Sequence, residues 1–370
     1  MPISEDPHDE AGPNSPCVVD GPVHRRLPGT AARRGRNLER CQLPHRRARA
    51  LDREILVYCH GYDGNPVQFA QNEKPQFSGF LDSGVAVIQS GYAAGGWAIE
   101  QAVQDTEALR RYFTGKYGKP VETFVMGHSM GGFLTMTLLE KYPSAYDGGL
   151  ALCGPLGSAE QFAQHRIFDM RVVFDYYFPG ALPNPAKVPS SYRMSAQKTA
   201  EIEGLLNGKP QPAAAVRQWA GIPTNHDLAD TLVFWTYVLL DLQQRGGGNP
   251  FDNRDTLYSG SPDDNKLNDG VARYTAEPRA AEYLRTFYTP TGRLTRPLLA
   301  IHTTYDPLVP PWVPNAYADL VRYAGAGQWF AQQYVRRGGH CSITPQEAQQ
   351  GFRALQMWKS SGRRPVQPTN

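Results

Sequence analysis

The sequence GHSMG, at residues 127–131, joins an apolar segment, TFVM at 123–126, to a stretch of helical character at 132–141. A serine between two glycines at such a junction is typical of a tight, strained turn that exposes the serine hydroxyl group. Glycine is required on both sides because a side chain there would clash with the adjoining strand or helix. Ser129 is therefore a candidate nucleophile at the N-terminus of a helix.

A nucleophilic serine needs a base that accepts its proton and a carboxylate that orients the base. Asp306 lies in the sequence YDPLVP, after the apolar segment at 298–302, and His340 lies in GGHC, after the last apolar segment, at 329–335. Each has a simpler reading, since an aspartate before proline can start a turn and a histidine among glycines can be an exposed loop residue. Their positions at two strand ends, in this order after Ser129, favour a Ser129, Asp306 and His340 triad.

The tetrahedral intermediate of acyl transfer also needs hydrogen-bond donors for its oxyanion, usually two backbone amides. The residue after the nucleophile, Met130, supplies one predicted donor. The sequence HGYDG at 60–64 follows the apolar segment at 55–59 and makes the amide of Tyr62 the second predicted donor.

From residue 54 onward, apolar segments alternate with amphipathic helical patterns, one of which lies between Ile99 and Phe113 and is closed by Gly115. This alternation predicts an α/β fold, with a mostly parallel sheet covered by helices on both faces. The predicted strands are 55–59, 85–89, 123–126, 150–153, 298–302 and 329–335.

A long segment between the fourth and fifth of these strands interrupts the alternation with two or three helical patterns, such as 232–240, separated by proline and glycine clusters. We interpret it as a mainly helical lid over the carboxyl edge of the sheet, because both flanking strands end there. The predicted division is a disordered arginine-rich leader at 1–50, a core at 51–157 and 298–358, a lid insertion at 158–297 and a flexible tail at 359–370.

The insertion is rich in aromatic residues. We expect most of them to form the core of the lid and a minority to face the sheet, where they would make an apolar wall over Ser129. The clustered aromatic residues are Phe168, Phe174, Tyr176, Tyr177 and Phe178, followed by Phe234, Trp235 and Tyr237.

The 370 residues include 41% hydrophobic and 20% charged residues, which is ordinary for a globular protein. The positive charge is concentrated in residues 1–50, which contain nine arginines and no lysine. Such an arm can bind nucleic acid, but a disordered leader is the simpler interpretation. We therefore predict no nucleic-acid partner.

The N-terminal sequence does not resemble a signal peptide, and no run is long and apolar enough to span a membrane. The default prediction is a cytoplasmic protein without a membrane partner, although an altered N-terminus would leave secretion open. Asp263 to Gly270 lacks the spacing of a calcium loop and is interpreted as a polar turn. The five cysteines argue against both a disulfide framework and a zinc site, because their number is odd and no CxxC pair occurs. Neither a metal nor another cofactor is predicted.

The motifs GHSMGG, HGYDG, YDPLVP and GGHC together resemble the α/β-hydrolase superfamily, over about 54–157 and 298–357. The resemblance implies esterase, lipase, thioesterase or prolyl-oligopeptidase-like chemistry through an acyl-enzyme, without a cofactor. The large insertion resembles the lids of carboxylesterases. Members of the superfamily have two or more strands before the strand that precedes the HG motif, whereas residues 1–50 offer only valines 18 and 19, so we hypothesise an altered N-terminus.

The sequence as a whole predicts a serine esterase that cleaves small-molecule esters with hydrophobic or aromatic groups. A prolyl-oligopeptidase-like peptidase or amidase and an acyltransferase are alternatives within the same chemistry. A non-catalytic binding scaffold is the alternative from a different class. The sequence does not define an oligomeric state.

Overall fold

The computed structural model describes residues 54–68 and 75–367, together with the backbone of two further strands at 17–20 and 38–42. The strands of its single described sheet are β1 (Cys17–Asp20), β2 (Leu38–Gln42), β3 (Ile55–Cys59), β4 (Ala86–Gln89), β5 (Thr123–His128), β6 (Gly148–Leu152), β7 (Leu298–Tyr305) and β8 (Phe330–Gly338). Their order across the sheet is β1-β2-β4-β3-β5-β6-β7-β8. Strands β3 to β8 are parallel, and β1 and β2 are antiparallel at one edge.

The apolar character of the central strands follows from burial on both faces. In β3, Leu56 and Tyr58 contribute to the core on one face, whereas Ile55, Val57 and Cys59 contribute to the core on the other. Successive side chains of a strand point to opposite faces, so a strand covered on both sides is apolar throughout.

Helices cover both faces of the sheet. The helices outside the insertion are α1 (Ser78–Asp82), α2 (Ile99–Tyr117), α3 (Met130–Lys141), α10 (Trp312–Tyr323) and α11 (Pro345–Ser361), with short 3-10 helices at Pro75–Phe77 and Gly327–Trp329. Buried residues of α2, α3 and α10 belong to one core, and those of α1 and α11 belong to the other.

The insertion, residues 158–297, lies between β6 and β7 and is more regular than predicted. It contains a π-helix (Ala159–Phe168) and the helices α4 (Asp169–Tyr177), α5 (Ala196–Gly208), α6 (Pro210–Ala220), α7 (Asn225–Gly246), α8 (Asp264–Gly270) and α9 (Pro278–Tyr288). Helix α8 occupies the segment interpreted as a polar turn, because the Asp263 side chain accepts a hydrogen bond from the Lys266 amide and caps the helix.

Two segments of residues 1–50, the predicted disordered leader, form the strands β1 and β2. Strand β1 pairs with β2, and β2 pairs with β4, so both extend the sheet at this edge. An edge strand is defined by its main-chain hydrogen bonds and needs no continuous apolar run. The two strands were therefore not predicted from their arginine-rich sequence. The hypothesis of an altered N-terminus assumed that the sheet lacks strands before β3. Strands β1 and β2 are two strands of this kind. The rest of the predicted leader lies outside the described residues.

Several element ends differ from prediction. Helix α2 continues through Gly115 to Tyr117 and is followed by Gly118, whose φ is +94°. An exposed glycine weakens a helix by only about 1 kcal/mol, whereas a left-handed backbone ends it. Strand β7 extends to Tyr305, so Asp306 follows it directly.

Candidate active site

Ser129 lies at the junction of β5 and α3, with φ +55° and ψ −122°. A left-handed backbone at a residue other than glycine is strained and is frequent at functional turns. The flanking glycines leave no room for a side chain: a Cβ at Gly127 would lie 2.3 Å from the Gly131 carbonyl oxygen, and one at Gly131 would lie 2.0 Å from the Cys59 carbonyl oxygen. The packing therefore requires glycine at both positions.

Asp306 is buried directly after β7 and accepts hydrogen bonds through both carboxylate oxygens. Oδ1 accepts from the amides of Leu308 and Val309 at 2.9 Å each, and Oδ2 accepts from His340 Nδ1 at 2.7 Å. The aspartate therefore forms the predicted turn and also orients a histidine.

His340 lies two residues after β8, and its Nε2 is 2.8 Å from Ser129 Oγ. With Nδ1 donating to the carboxylate of Asp306, Nε2 is free to accept the serine proton. The structure thus brings the three predicted side chains together in one hydrogen-bonded series, although they are up to 211 positions apart in sequence.

The HG loop lies beside the nucleophile. A Cβ at Gly61 would lie 3.5 Å from Ser129 Cβ, and Tyr62 is the next residue of this loop. Met130 is the first residue of α3, where backbone amides have no acceptor within the helix. Met130 thus adjoins Ser129 in the chain, and Tyr62 follows a glycine that is packed against Ser129.

A model of the family "Serine aminopeptidase, S33" matches residues 89–214, which include the nucleophile turn. This segment runs from the end of β4 through β5, α3 and β6 into the insertion, as far as α6. This match, over less than half of the chain, supports an α/β-hydrolase serine hydrolase. The predicted fold class and superfamily are confirmed.

Solved structures similar to this hydrolase include a Pyrococcus horikoshii acylaminoacyl peptidase, with 9% identity, a TM-score of 0.49, and 95% of this chain and 42% of that chain covered. A Mycobacterium tuberculosis puromycin-hydrolysing peptidase has 12% identity and a TM-score of 0.48, with 96% and 41% covered. An esterase from Pyrococcus furiosus has 13% identity and a TM-score of 0.45, with 88% and 86% covered. The hydrolase covers less than half of the length of both peptidases. No curated protein matches its sequence.

Two buried side chains near Asp306, those of Arg166 and His302, were not predicted from the sequence as part of the site. Arg166 of the π-helix donates to the carbonyl oxygens of Pro307 and Ala220. Burial lowers the pKa of Arg166 to about 10. His302 is buried, with its Nε2 2.7 Å from the Val309 carbonyl oxygen and 3.7 Å from Asp306 Oδ2. No local sequence signal distinguishes Arg166, because its two carbonyl partners lie on segments 54 and 141 positions away.

His128, inside the nucleophile turn, is held neutral by its surroundings. Its Nδ1 is 3.0 Å from the Tyr58 hydroxyl group. Burial, and then the nearby charge of His340, lower the pKa of His128 to about 4. Near neutral pH this side chain therefore adds no positive charge beside Ser129.

Tyr62 is also part of an aromatic wall. Its ring packs edge-on against Phe234 at 5.2 Å and lies 6.2 Å from Trp97. The wall continues through Trp235, 6.0 Å from Trp97, and Phe162, 5.4 Å from Trp235. In contrast, three of the clustered aromatics in the first part of the insertion are fully buried, namely Phe168, Phe174 and Phe178.

Helix α7 crosses the carboxyl ends of the strands. Near its start, Asp227 Oδ2 accepts a hydrogen bond from the Tyr305 hydroxyl group, at the end of β7, at 3.0 Å. One heptad further along the helix, Phe234 packs on Tyr62. One heptad beyond Phe234, Asp241 accepts a hydrogen bond from the Trp97 amide. The helix therefore contacts both the end of β7 and the loop after β4, and these two strands lie on either side of β5 in the sheet.

A disulfide joins Cys153, directly after β6, to Cys341, directly after His340. The odd number of cysteines argues against a disulfide framework, and this argument did not predict the pair. The two residues are 188 positions apart, and only the fold brings their Cα atoms to 5.2 Å. Cys59 is buried and free.

Within the described ranges, no group of three or more histidine, cysteine, aspartate or glutamate side chains is arranged to hold a metal ion. Over the same part of the chain, no helix has the length and apolar character needed to cross a membrane.

Proposed function

We propose that this hydrolase is a serine esterase that cleaves carboxylic esters through an acyl-enzyme, with Ser129, His340 and Asp306 as its catalytic residues. The observation that carries the proposal is the hydrogen-bonded series from Ser129 Oγ to His340 Nε2 and from His340 Nδ1 to Asp306 Oδ2, at 2.8 and 2.7 Å. These distances lie in the range required for proton transfer to a general base.

In the proposed mechanism, Ser129 Oγ attacks the ester carbonyl carbon while His340 Nε2 takes the hydroxyl proton. Asp306 holds the imidazole in the tautomer that can accept this proton and stabilises the imidazolium. His340 then gives the proton to the departing alcohol, which leaves the acyl group on Ser129. Water, deprotonated by the same histidine, releases the acid.

The amides of Tyr62 and Met130 are the proposed donors to the oxyanion. The support is their location, since one adjoins the nucleophile in the chain and the other follows Gly61, which is packed against Ser129. Donors fixed before reaction stabilise the developing charge without reorganisation, which is usually the largest catalytic contribution.

The aromatic wall favours esters with hydrophobic or aromatic groups. Phe234 and Trp97 flank Tyr62, so an apolar group bound beside the oxyanion donors would contact these rings. Burying such a group contributes about 25 cal/mol per Å² of apolar surface removed from water.

Hydrolysis of an aminoacyl amide or peptide bond is the second candidate. The observation that favours it is the description of the matching family model, a serine aminopeptidase. The same residues would form an acyl-enzyme from an amide, with His340 protonating the departing amine instead of an alcohol.

Fluorophosphonate labelling and substrate turnover test the proposal. Ser129→Ala should abolish labelling and reduce ester turnover by roughly 10⁴- to 10⁶-fold. Ser360→Ala, at an exposed serine of α11, is the matched control and should behave as the unmodified enzyme.

The substrates are p-nitrophenyl esters of acetate, butyrate and octanoate beside aminoacyl p-nitroanilides. Labelling that depends on Ser129 with ester turnover supports the esterase, and labelling with anilide turnover alone supports the peptidase. Absence of Ser129-dependent labelling and turnover would contradict both and favour a binding scaffold.

A further inference from the structure

The Cys153–Cys341 disulfide lies beside the proposed base, and nothing in the proposed mechanism uses it. Cys341 follows His340 directly, and Cys341 Sγ is 3.5 Å from His340 Nε2. Cys153 is fully buried, and its amide donates to the Ile301 carbonyl oxygen of β7 at 2.8 Å. The bond therefore anchors the loop that carries His340, residues 339–342, to the interior of the sheet. This segment is called the histidine loop.

The anchor connects the base to the nucleophile by a short path. The Ser129 amide donates to the Leu152 carbonyl oxygen at 2.9 Å, and Leu152 immediately precedes Cys153. The path then crosses the disulfide to Cys341 and returns through His340 to Ser129 Oγ. One backbone hydrogen bond, one disulfide and two peptide bonds thus fix the two reacting side chains relative to each other.

The other restraints on the histidine loop are individual hydrogen bonds. They include Ile343 N–H to the Cys341 carbonyl oxygen and Arg337 Nη1 to the Ser342 carbonyl oxygen, at 2.7 Å each. Before His340, the Gly339 amide donates to the Tyr305 carbonyl oxygen at 2.9 Å, and Thr303 Oγ1 donates to the Gly339 carbonyl oxygen at 3.1 Å. After it, Cys341 has φ +54°, an unfavourable conformation for a residue with a side chain. The disulfide is the covalent restraint that maintains this conformation next to the base.

We propose that the Cys153–Cys341 disulfide is a positioning element of the reaction, which holds His340 against Ser129 and whose reduction lowers kcat in a folded enzyme. This inference rests on the proposed function, because it assigns the two cysteines to the geometry of the proposed base. They act through His340 and do not touch the reacting atoms.

Reduction has a defined chemical course. A dithiol attacks Sγ of the half-exposed Cys341, forms a mixed disulfide, and releases the buried Cys153 as a thiolate that takes up a proton. The second thiol of the reagent closes its own ring and releases the Cys341 thiol. That thiol, free to rotate near His340 Nε2, can then donate a hydrogen bond to it in competition with Ser129.

Disulfides persist in oxidising compartments, so the proposal also predicts that the working enzyme is located outside the reducing cytoplasm, contrary to the expectation from sequence.

The test measures kcat and KM for p-nitrophenyl butyrate before and after dithiothreitol treatment, with thiol alkylation and mass spectrometry to count the reduced bonds. We expect kcat to fall about 10- to 100-fold, the usual cost of a misplaced catalytic group, while KM changes little and circular dichroism is preserved. Reoxidation should restore kcat. The Cys153→Ala, Cys341→Ala double variant should show the same lowered kcat and no further response to dithiothreitol.

Cys59→Ala, which removes the buried free cysteine, is the matched control and should respond to dithiothreitol like the unmodified enzyme. Full kcat with the bond demonstrably reduced would overturn the proposal. So would a loss of kcat that parallels a loss of circular dichroism in both the reduced enzyme and the double variant, because the bond would then serve only the fold.

The failure of the proposed function gives a different result. In that case the oxidised protein already lacks Ser129-dependent fluorophosphonate labelling and turnover. If only the positioning role is wrong, oxidised and reduced protein are labelled at the same rate.

Discussion

Ser129 Oγ and His340 Nε2 belong to the proposed nucleophile and base and lie 2.8 Å apart, yet the surroundings of the two residues differ sharply. The nucleophile turn lies between a buried strand and a buried helix, where a Cβ at Gly131 would be 2.0 Å from a main-chain oxygen. The histidine loop follows the exposed end of β8, and its residues are half-exposed from Gly339 to Ser342. One side of the site is therefore positioned by close backbone packing and the other by individual bonds.

This difference has a physical consequence. Backbone packing in a core forms together with the fold and resists change, because interiors are packed as densely as crystals. Separate bonds can be broken one at a time, by substitution, reduction or protonation, while the fold persists. We therefore expect variants on the histidine side to lose activity before stability, and variants on the nucleophile side to lose stability as well.

Asp306→Asn should give the largest effect on the histidine side. The asparagine can still accept from the amides of Leu308 and Val309, but its NH₂ group would direct His340 Nδ1 to accept a hydrogen bond. Nε2 would then carry the proton and could not act as base, so kcat should fall about 10⁴-fold with little loss of stability. Steady-state kinetics and thermal unfolding test this prediction.

Asp227→Asn is the control for that substitution. Asp227 accepts from the Tyr305 hydroxyl group near the same loop, and an amide oxygen can replace the carboxylate there. It should leave kcat close to that of the unmodified enzyme. Equal losses in both variants would mean that general charge near the loop, and not the histidine tautomer, controls the rate.

Gly131→Ala tests the nucleophile side. The new Cβ would meet the Cys59 carbonyl oxygen of β3, which cannot move without shifting the sheet. We expect a loss of about 3 kcal/mol in the free energy of unfolding, together with lower activity. Urea unfolding followed by circular dichroism measures it.

Gly115→Ala provides the matched comparison, because a Cβ at this exposed helical position meets nothing within 4 Å. It should stabilise the protein by up to about 1 kcal/mol. A Gly131→Ala variant as stable as Gly115→Ala would refute the view that backbone packing fixes the nucleophile.

The same contrast explains what the sequence could reveal. The nucleophile turn was predictable because its requirements are local: a strand, two glycines around Ser129, and a helix. Asp306 and His340 were predictable because each follows an apolar strand at the edge where parallel strands end.

Features that depend on distant contacts could not be read in this way. The Cys153–Cys341 bond joins residues 188 positions apart, and the carbonyl partners of Arg166 lie on two other segments. Strands β1 and β2 are defined by pairing at the sheet edge, so their sequences carry no distinctive apolar pattern. The aromatic wall likewise depends on the contact between Phe234 of α7 and Tyr62, which are far apart in the chain.

His128→Gln tests whether the nucleophile side is also sensitive to pH. The pKa of His128 is lowered to about 4 in the folded protein, whereas an unfolded histidine has its ordinary value near 6.5. Between these values the unfolded chain binds more protons than the folded one, so stability should fall as pH falls from 6.5 to 4. Glutamine should remove this part of the dependence, up to roughly 3 kcal/mol.

Urea unfolding at pH 7, 5.5 and 4.5 measures the difference between the two proteins. His226→Gln is the control, because the pKa of exposed His226 is raised by its hydrogen bond to Glu203. Its substitution should change the pH dependence slightly and in the opposite direction. Parallel pH curves for the unmodified protein and His128→Gln would show that protonation of His128 does not affect folding.

Phe234→Ala should have the smallest effect and the most selective one. The ring packs on Tyr62 at 5.2 Å, so its removal should weaken contacts with long acyl groups beside the proposed oxyanion donors. We expect KM for p-nitrophenyl octanoate to rise about 10-fold and KM for the acetate to change little, since a few methylene contacts contribute about 1 kcal/mol or slightly more. Phe287→Ala is the control, because that ring packs on Tyr283 of α9 and contacts Lys141. A uniform loss of kcat for all chain lengths would instead mean that Phe234 positions the Tyr62 amide. Part of α7 would then belong with the nucleophile side of the site, which is fixed by packing.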